Sequence, residues 1–135
     1  MPPPKEPAKQ KSLQQLARDV GPYPAEAYDF IQRGLSYTVQ KLHGTAIDPD
    51  ASRHVSGQQL CEGLREFALK EWGLLAHTVL KRWGILSTLD FGRIVFALID
   101  AGQMQKTDDD NLEDFRNVFD FKQAFEAGYR IQLAS

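Results

Sequence analysis

The chain has 135 residues, 42 % of them hydrophobic, and a formal net charge of −2. That is the size of one ordinary domain with enough apolar content for a core of its own, so neither a disulfide nor a metal is needed to hold it together. The single cysteine, Cys61, excludes an internal disulfide and a thiolate metal cluster. No apolar run approaches the roughly 20 residues needed to span a bilayer. Met1 to Lys5 lacks the apolar core of a secretion signal. A cytoplasmic protein with no membrane partner is the expectation.

Charge is unevenly spread. Residues 1–52 hold six basic and six acidic side chains, residues 53–93 six and four, and residues 94–135 four and eight. The middle is mildly basic and the last third acidic. This permits a local basic patch but gives no support for a broad nucleic-acid surface.

Residues 1–11, rich in proline and lysine, predict a disordered tail, and residues 12–135 a single domain. Ser12 is placed to cap a short helix with Leu13, Leu16, Ala17 and Val20 inward, ended by Gly21-Pro22. A second helix is predicted from near Pro24 to Leu42, with Ala27, Phe30, Ile31, Leu35, Val39 and Leu42 on its apolar side. Residues 44–55 predict a linker. Ser56-Gly57-Gln58-Gln59 then has the form of a capping box, opening a helix whose stripe is Leu60, Leu64, Phe67 and Ala68. Cys61 sits beside that stripe and reads as a small buried thiol.

Gly73 separates this helix from one predicted over 74–83, with Leu75, Ala76, Val79, Leu80 and Trp83 at helical spacing and Trp83 largely buried. Ser87 or Thr88 caps the next, over 88–101. Asp90 falls in its first turn, and Phe91, Ile94, Val95, Leu98 and Ile99 form its stripe. Gly92 either permits a close crossing or has no role, and Gly102 stops the helix. Beyond it the period changes. Gln103 to Thr107 alternates, Asp108 to Asn111 is a turn signal, and Phe115, Asn117, Phe119 and Phe121 fall on one face of an alternating run. A strand–turn–strand ribbon fits this pattern; the competing reading is a long irregular loop anchored by aromatics. The expected fold is therefore mainly α with a small β-ribbon: a winged-helix-like core, with 88–101 as its recognition helix, preceded by two N-terminal helices.

Several words in this chain carry a resemblance. Arg53 to Leu60, Trp83-Gly84-Ile85, Ser87 to Gly92 and Phe115 to Phe121 resemble an uncharacterised family of small bacterial proteins named after a Methylacidiphilum locus. The resemblance spans nearly the whole chain after residue 11. It implies a bacterial, cytosolic, single-domain protein and carries no activity with it.

Candidate chemistry is sparse. Arg53 and His54 precede the helix capped by Ser56, and with the amides near Gly57 they form a candidate anion or partner contact, since a helix start offers free N–H groups. The alternative is that Arg53 pairs with an acidic neighbour and His54 orders the loop. His43, His54 and His77 lack the spacing of a metal site, and no cofactor signature is present. Cys61 as a nucleophile would need exposure beside a histidine, which its apolar neighbourhood opposes. A candidate basic patch collects Arg53, Arg65, Lys70, Lys81 and Arg82.

The recognition helix of the expected fold carries Asp90 and Asp100, and the acidic turn follows it. Duplex DNA is thus disfavoured. The function expected is a non-enzymatic protein-interaction or assembly module with an unidentified protein partner, homo-oligomerisation being left open. The alternative is a nucleic-acid-binding transcriptional regulator that uses the basic patch.

Overall fold

The computed structural model describes residues 13–44, 54–105 and 110–127. The predicted tail, the Ser12 cap, most of the 44–55 linker and residues 106–109 of the predicted ribbon lie outside them. Among the described residues five α-helices appear in order: α1 Leu13–Val20, α2 Ala25–His43, α3 Gly57–Trp72, α4 Ala76–Arg82 and α5 Thr88–Asp100. A 3₁₀ turn at Gly73–Leu75 leads into α4, another occupies Leu112–Phe115, and Lys122–Ala127 winds as a π-helical turn.

The helix starts follow the local chemistry. Ser56 Oγ accepts from Gln59 N at 3.1 Å and Gln59 Oε1 accepts from Ser56 N at 2.9 Å, so the capping box forms as its residues require. At α5, Ser87 is the N-cap and Asp90 Oδ2 accepts from its amide at 3.2 Å.

α2 and α3 form the central pair, and their crossing depends on two glycines. A Cβ on Gly34 would sit 2.2 Å from Leu64 Cδ2, and one on Gly63 would sit 1.8 Å from Thr38 Oγ1. The backbones can approach so closely only because both side chains are missing. Gly92 works similarly on α5. A Cβ there would meet Phe115 Cγ at 2.7 Å, so this glycine seats the 3₁₀ turn at 112–115 on the helix.

The core is continuous, running from Phe30, Phe67 and the half-buried Trp72 and Trp83 to Phe91, Phe121 and Phe125. Cys61 is fully buried, as its position beside the stripe suggests. Three expectations about burial fail. Leu42, expected on the apolar side of α2, is 44 % exposed in its last turn. Trp83 is only half-buried, stacked edge-on against Trp72 at the end of α4. Leu75 is 62 % exposed, because Gly73–Leu75 winds as 3₁₀ and the tighter turn rotates it off the face that Ala76 and Leu80 bury.

The ribbon, and with it the winged helix, is corrected. Among the described residues there is no β-strand. Leu112–Phe115 is a 3₁₀ turn capped by Asn111, and Asn117 takes φ 52°, which breaks any extended run. Val118 N donates to the Thr88 side chain at 3.1 Å rather than to a strand partner. The alternating phenylalanines have another cause. Phe115 fills the space over Gly92, while Phe121 packs on Phe91 at 5.4 Å and on His77 at 6.0 Å. They pin an irregular segment to the core at separate points. α5, the supposed recognition helix, is buried along Phe91, Ile94, Val95 and Leu98 and covered by that segment.

Candidate functional site

The last turn of α1, the Gly21–Pro24 turn and the C-terminal end of α4 enclose an open groove of about 810 Å³. Each wall follows from sequence. Gly21 N donates to Ala17 O at 2.9 Å and ends α1, leaving Arg18 in its final turn. Helix α4 ends with Lys81 and Arg82 in its last turn, and Gly84 at φ 83° turns the chain so that Ile85 N returns to Leu80 O at 2.9 Å. Basic residues are favoured at both ends because helix C-termini carry partial negative charge.

The floor is Tyr23. Its hydroxyl donates to Asp90 Oδ1 from across the fold, while Asp90 Oδ2 accepts from Leu86 N at 2.8 Å and from Ser87 N at 3.2 Å. Arg93 Nη1 completes the carboxylate at 3.2 Å. Asp90 thus ties three parts of the fold: the turn before α2, the turn before α5, and α5 itself. Its role is to position Tyr23, and through it the groove.

Burial, and then the bond to Asp90, push the Tyr23 hydroxyl well above the ordinary tyrosine range. Burial also raises the Tyr28 hydroxyl and, together with the charge of Glu62, the Cys61 thiol. A thiol held protonated is a poor nucleophile. All three groups keep their protons more tightly folded than unfolded. Their contribution to stability is complete below the unfolded values, about 8.5 for cysteine and about 10 for tyrosine, and is lost as pH rises past them. The midpoint of urea denaturation should therefore fall steadily above about pH 8.5, and Cys61→Ala should move the onset to about pH 10. A midpoint that stays flat from about pH 8 to 11 would contradict these assignments.

The groove is cationic. Arg18, Lys81 and Arg82 are exposed and line it, and among the described residues no acidic side chain does. Among the described residues none of the three joins an ion pair. Trp83 lines the same space, with apolar surface from Ala17, Pro22 and Pro24. A second concavity of about 290 Å³, between α2 and α3, differs in kind: its Lys41 is bound to Glu66.

The candidate residues named from sequence do not assemble together. Arg53 lies outside the described residues. His54 Nε2 stands 3.8 Å from the buried Asp110 Oδ1, and the His54 carbonyl accepts from His43 Nε2 at 2.8 Å. Ser56 is engaged in its capping box, and Gly57 is buried, with Asp114 and Phe115 close over it. The basic patch divides. Arg65 pairs with Glu62 at 3.3 Å and Lys70 lies over the Tyr37 ring at 5.5 Å, both on α3. Of its described members, only Lys81 and Arg82 line the groove.

Arg18 was not among the sequence-derived candidates. The available signal was a basic residue in the last turn of a helix stopped by Gly-Pro, but nothing local pairs that turn with residues 81–84.

Among the described residues, no group of His, Cys, Asp and Glu is arranged to hold a metal ion, and no helix is long and apolar enough to cross a membrane. Comparison with protein-family models, with curated proteins and with solved structures finds no match.

Proposed function

We propose that this chain is a non-enzymatic protein-interaction module and that the groove between α1 and the end of α4 is its docking face. The observation that carries the reading is the set of three exposed cations, unpaired within the described chain, beside a half-buried tryptophan. Arginine and tryptophan are enriched where interfaces concentrate their binding energy, and a tryptophan held by its neighbours loses little entropy when a partner covers it. Trp83 is held in this way, edge-on to Trp72 at 5.3 Å and tilted against Phe30 at 5.9 Å.

Three buried polar side chains outside the groove have structural work. Asp90 joins Tyr23 to α5, Thr88 holds the Val118 amide, and Thr38 donates to Gly34 O at 2.7 Å.

The test is purification of the tagged chain from its native cells with partners retained, beside a variant carrying Arg18→Ala, Lys81→Ala and Arg82→Ala. Partners held by the natural chain and lost from the variant are the expected result. An identical set retained by both, or none held by either, would refute the docking face.

A further inference from the structure

We infer that the groove takes an acidic peptide segment of a partner protein, one that carries an apolar side chain among its carboxylates. The inference rests on the docking face proposed above and adds the chemistry of what docks there.

The first argument is charge complementarity. Three exposed cations share one concavity, and among the described residues no acidic one lines it. The two helix C-termini that meet there are weakly negative, about half a charge each. Several of their terminal carbonyls are already taken by backbone donors: Ala17 O by Gly21 N, and Val79, Leu80 and Lys81 O by the amides of Trp83, Ile85 and Gly84. Among the described residues none of the three side chains caps a carbonyl, so the cations stay free for another chain. Such charges speed encounter and reject partners of the wrong sign.

The second argument is the apolar surface. Ala17, Pro22, Pro24 and the Trp83 ring offer an aliphatic or aromatic side chain a seat between the charges. A free inorganic anion would leave that surface unused.

The third argument separates a peptide from a nucleic acid. Affinity for a phosphate backbone grows with the number of phosphates neutralised, and strong binders contact about six to ten. Three cations in one short groove, on a chain of net charge −2 with an acid-rich last third, fall short of that. They match two or three carboxylates of one extended segment.

The experiment uses fluorescence anisotropy with four labelled probes. One is a short peptide of glutamate and aspartate around a central leucine. The second replaces its acids by glutamine and asparagine, the third replaces them by lysine, and the fourth is a single-stranded oligonucleotide. The acidic peptide should bind, and the neutral and basic ones should be weaker by about tenfold or more. Raising salt from low to physiological strength should weaken the acidic peptide, because the charges it meets are exposed. The Arg18→Ala, Lys81→Ala, Arg82→Ala variant should lose about tenfold or more in affinity for it. Leu74→Ser with Leu75→Ser, at the other end of α4, should keep it.

Equal binding of the acidic and neutral peptides, both lost on Trp83→Ala, would overturn the acidic specificity and leave the groove a docking face. Acidic-peptide binding that survives the triple variant would overturn the assignment to this groove. An oligonucleotide that binds more tightly than the acidic peptide and displaces it would overturn the proposal in favour of nucleic acid. No binding by any probe would overturn the peptide chemistry, and the partner purification would then decide the docking face by itself.

Discussion

Asp90→Ala should destabilise the fold by about 2–4 kcal/mol, because it removes the acceptor of the buried Tyr23 hydroxyl and one half of the α5 capping box. Four donors converge on this carboxylate: the Tyr23 hydroxyl, the Leu86 and Ser87 amides and the Arg93 guanidinium. Alanine leaves the buried Tyr23 hydroxyl without an acceptor, which costs about 1–3 kcal/mol, and frees the two amides at the start of α5, where losing a cap costs about 0.5–2 kcal/mol. For a domain of this length the loss corresponds to a drop of about 7–14 °C in Tm. Tyr23→Phe removes only one of the bonds and should cost about 1–2 kcal/mol. Thermal denaturation of both variants checks this. An Asp90→Ala protein within about 1 kcal/mol of the natural chain would show that the carboxylate is not the tie described. The effect reaches function through position, because Tyr23 is both the partner of Asp90 and the floor of the groove.

Gly63→Ala should also destabilise, against the usual direction. At an exposed helix position the change gains about 1 kcal/mol of helix propensity. At Gly63 the new Cβ would lie 1.8 Å from Thr38 Oγ1 and 2.8 Å from Thr38 Cβ and Cγ2. Thr38 cannot simply turn away, since its hydroxyl is bonded to Gly34 O and its side chain is buried in the crossing. The helices must separate, and overpacking of this kind costs about 1–3 kcal/mol. Gly63→Val should cost more. Thr38→Ala should recover part of the loss, so the double variant should be more stable than the two single changes predict when added. Urea denaturation of the single and double variants measures the coupling. A Gly63→Ala chain more stable than the natural one would remove the crossing from the account.

The helices were legible because each rests on local chemistry. Ser56 and Gln59 cap reciprocally, Gly73 and Gly84 stop their helices at positive φ, and the apolar stripes recur at helical spacing. What went unread depends on contacts between distant residues. Phe115, Phe119 and Phe121 alternate like a strand, and periodicity alone cannot distinguish a strand from a loop pinned to a core at intervals. Thr88, thirty residues from Val118, decides that matter with a single hydrogen bond. Gly34, Gly63 and Gly92 look like weak points in helices until their facing side chains are known. Asp90 reads as a favourable first-turn charge, and its bond to Tyr23, sixty-seven residues away, has no trace in local pattern.

The groove was half visible for the same reason. Lys81 and Arg82 stood out as basic neighbours of Trp83, but Arg18 joins them only through the packing of α1 on the rest of the fold. Arg65 and Lys70, grouped with them by sequence proximity, are drawn to Glu62 and to the Tyr37 ring.

The most direct measurement is an amide chemical-shift titration of the natural chain with the acidic peptide. The account predicts that the largest shifts fall on Ala17, Arg18, Tyr23 and Lys81 to Gly84, with a shift of the Trp83 indole N–H, and that the amides of Thr38, Lys41 and Leu42 beside the second concavity stay in place. Largest shifts at Thr38 to Leu42 or at Leu74 and Leu75, with Arg18 and Lys81 to Gly84 unmoved, would contradict it.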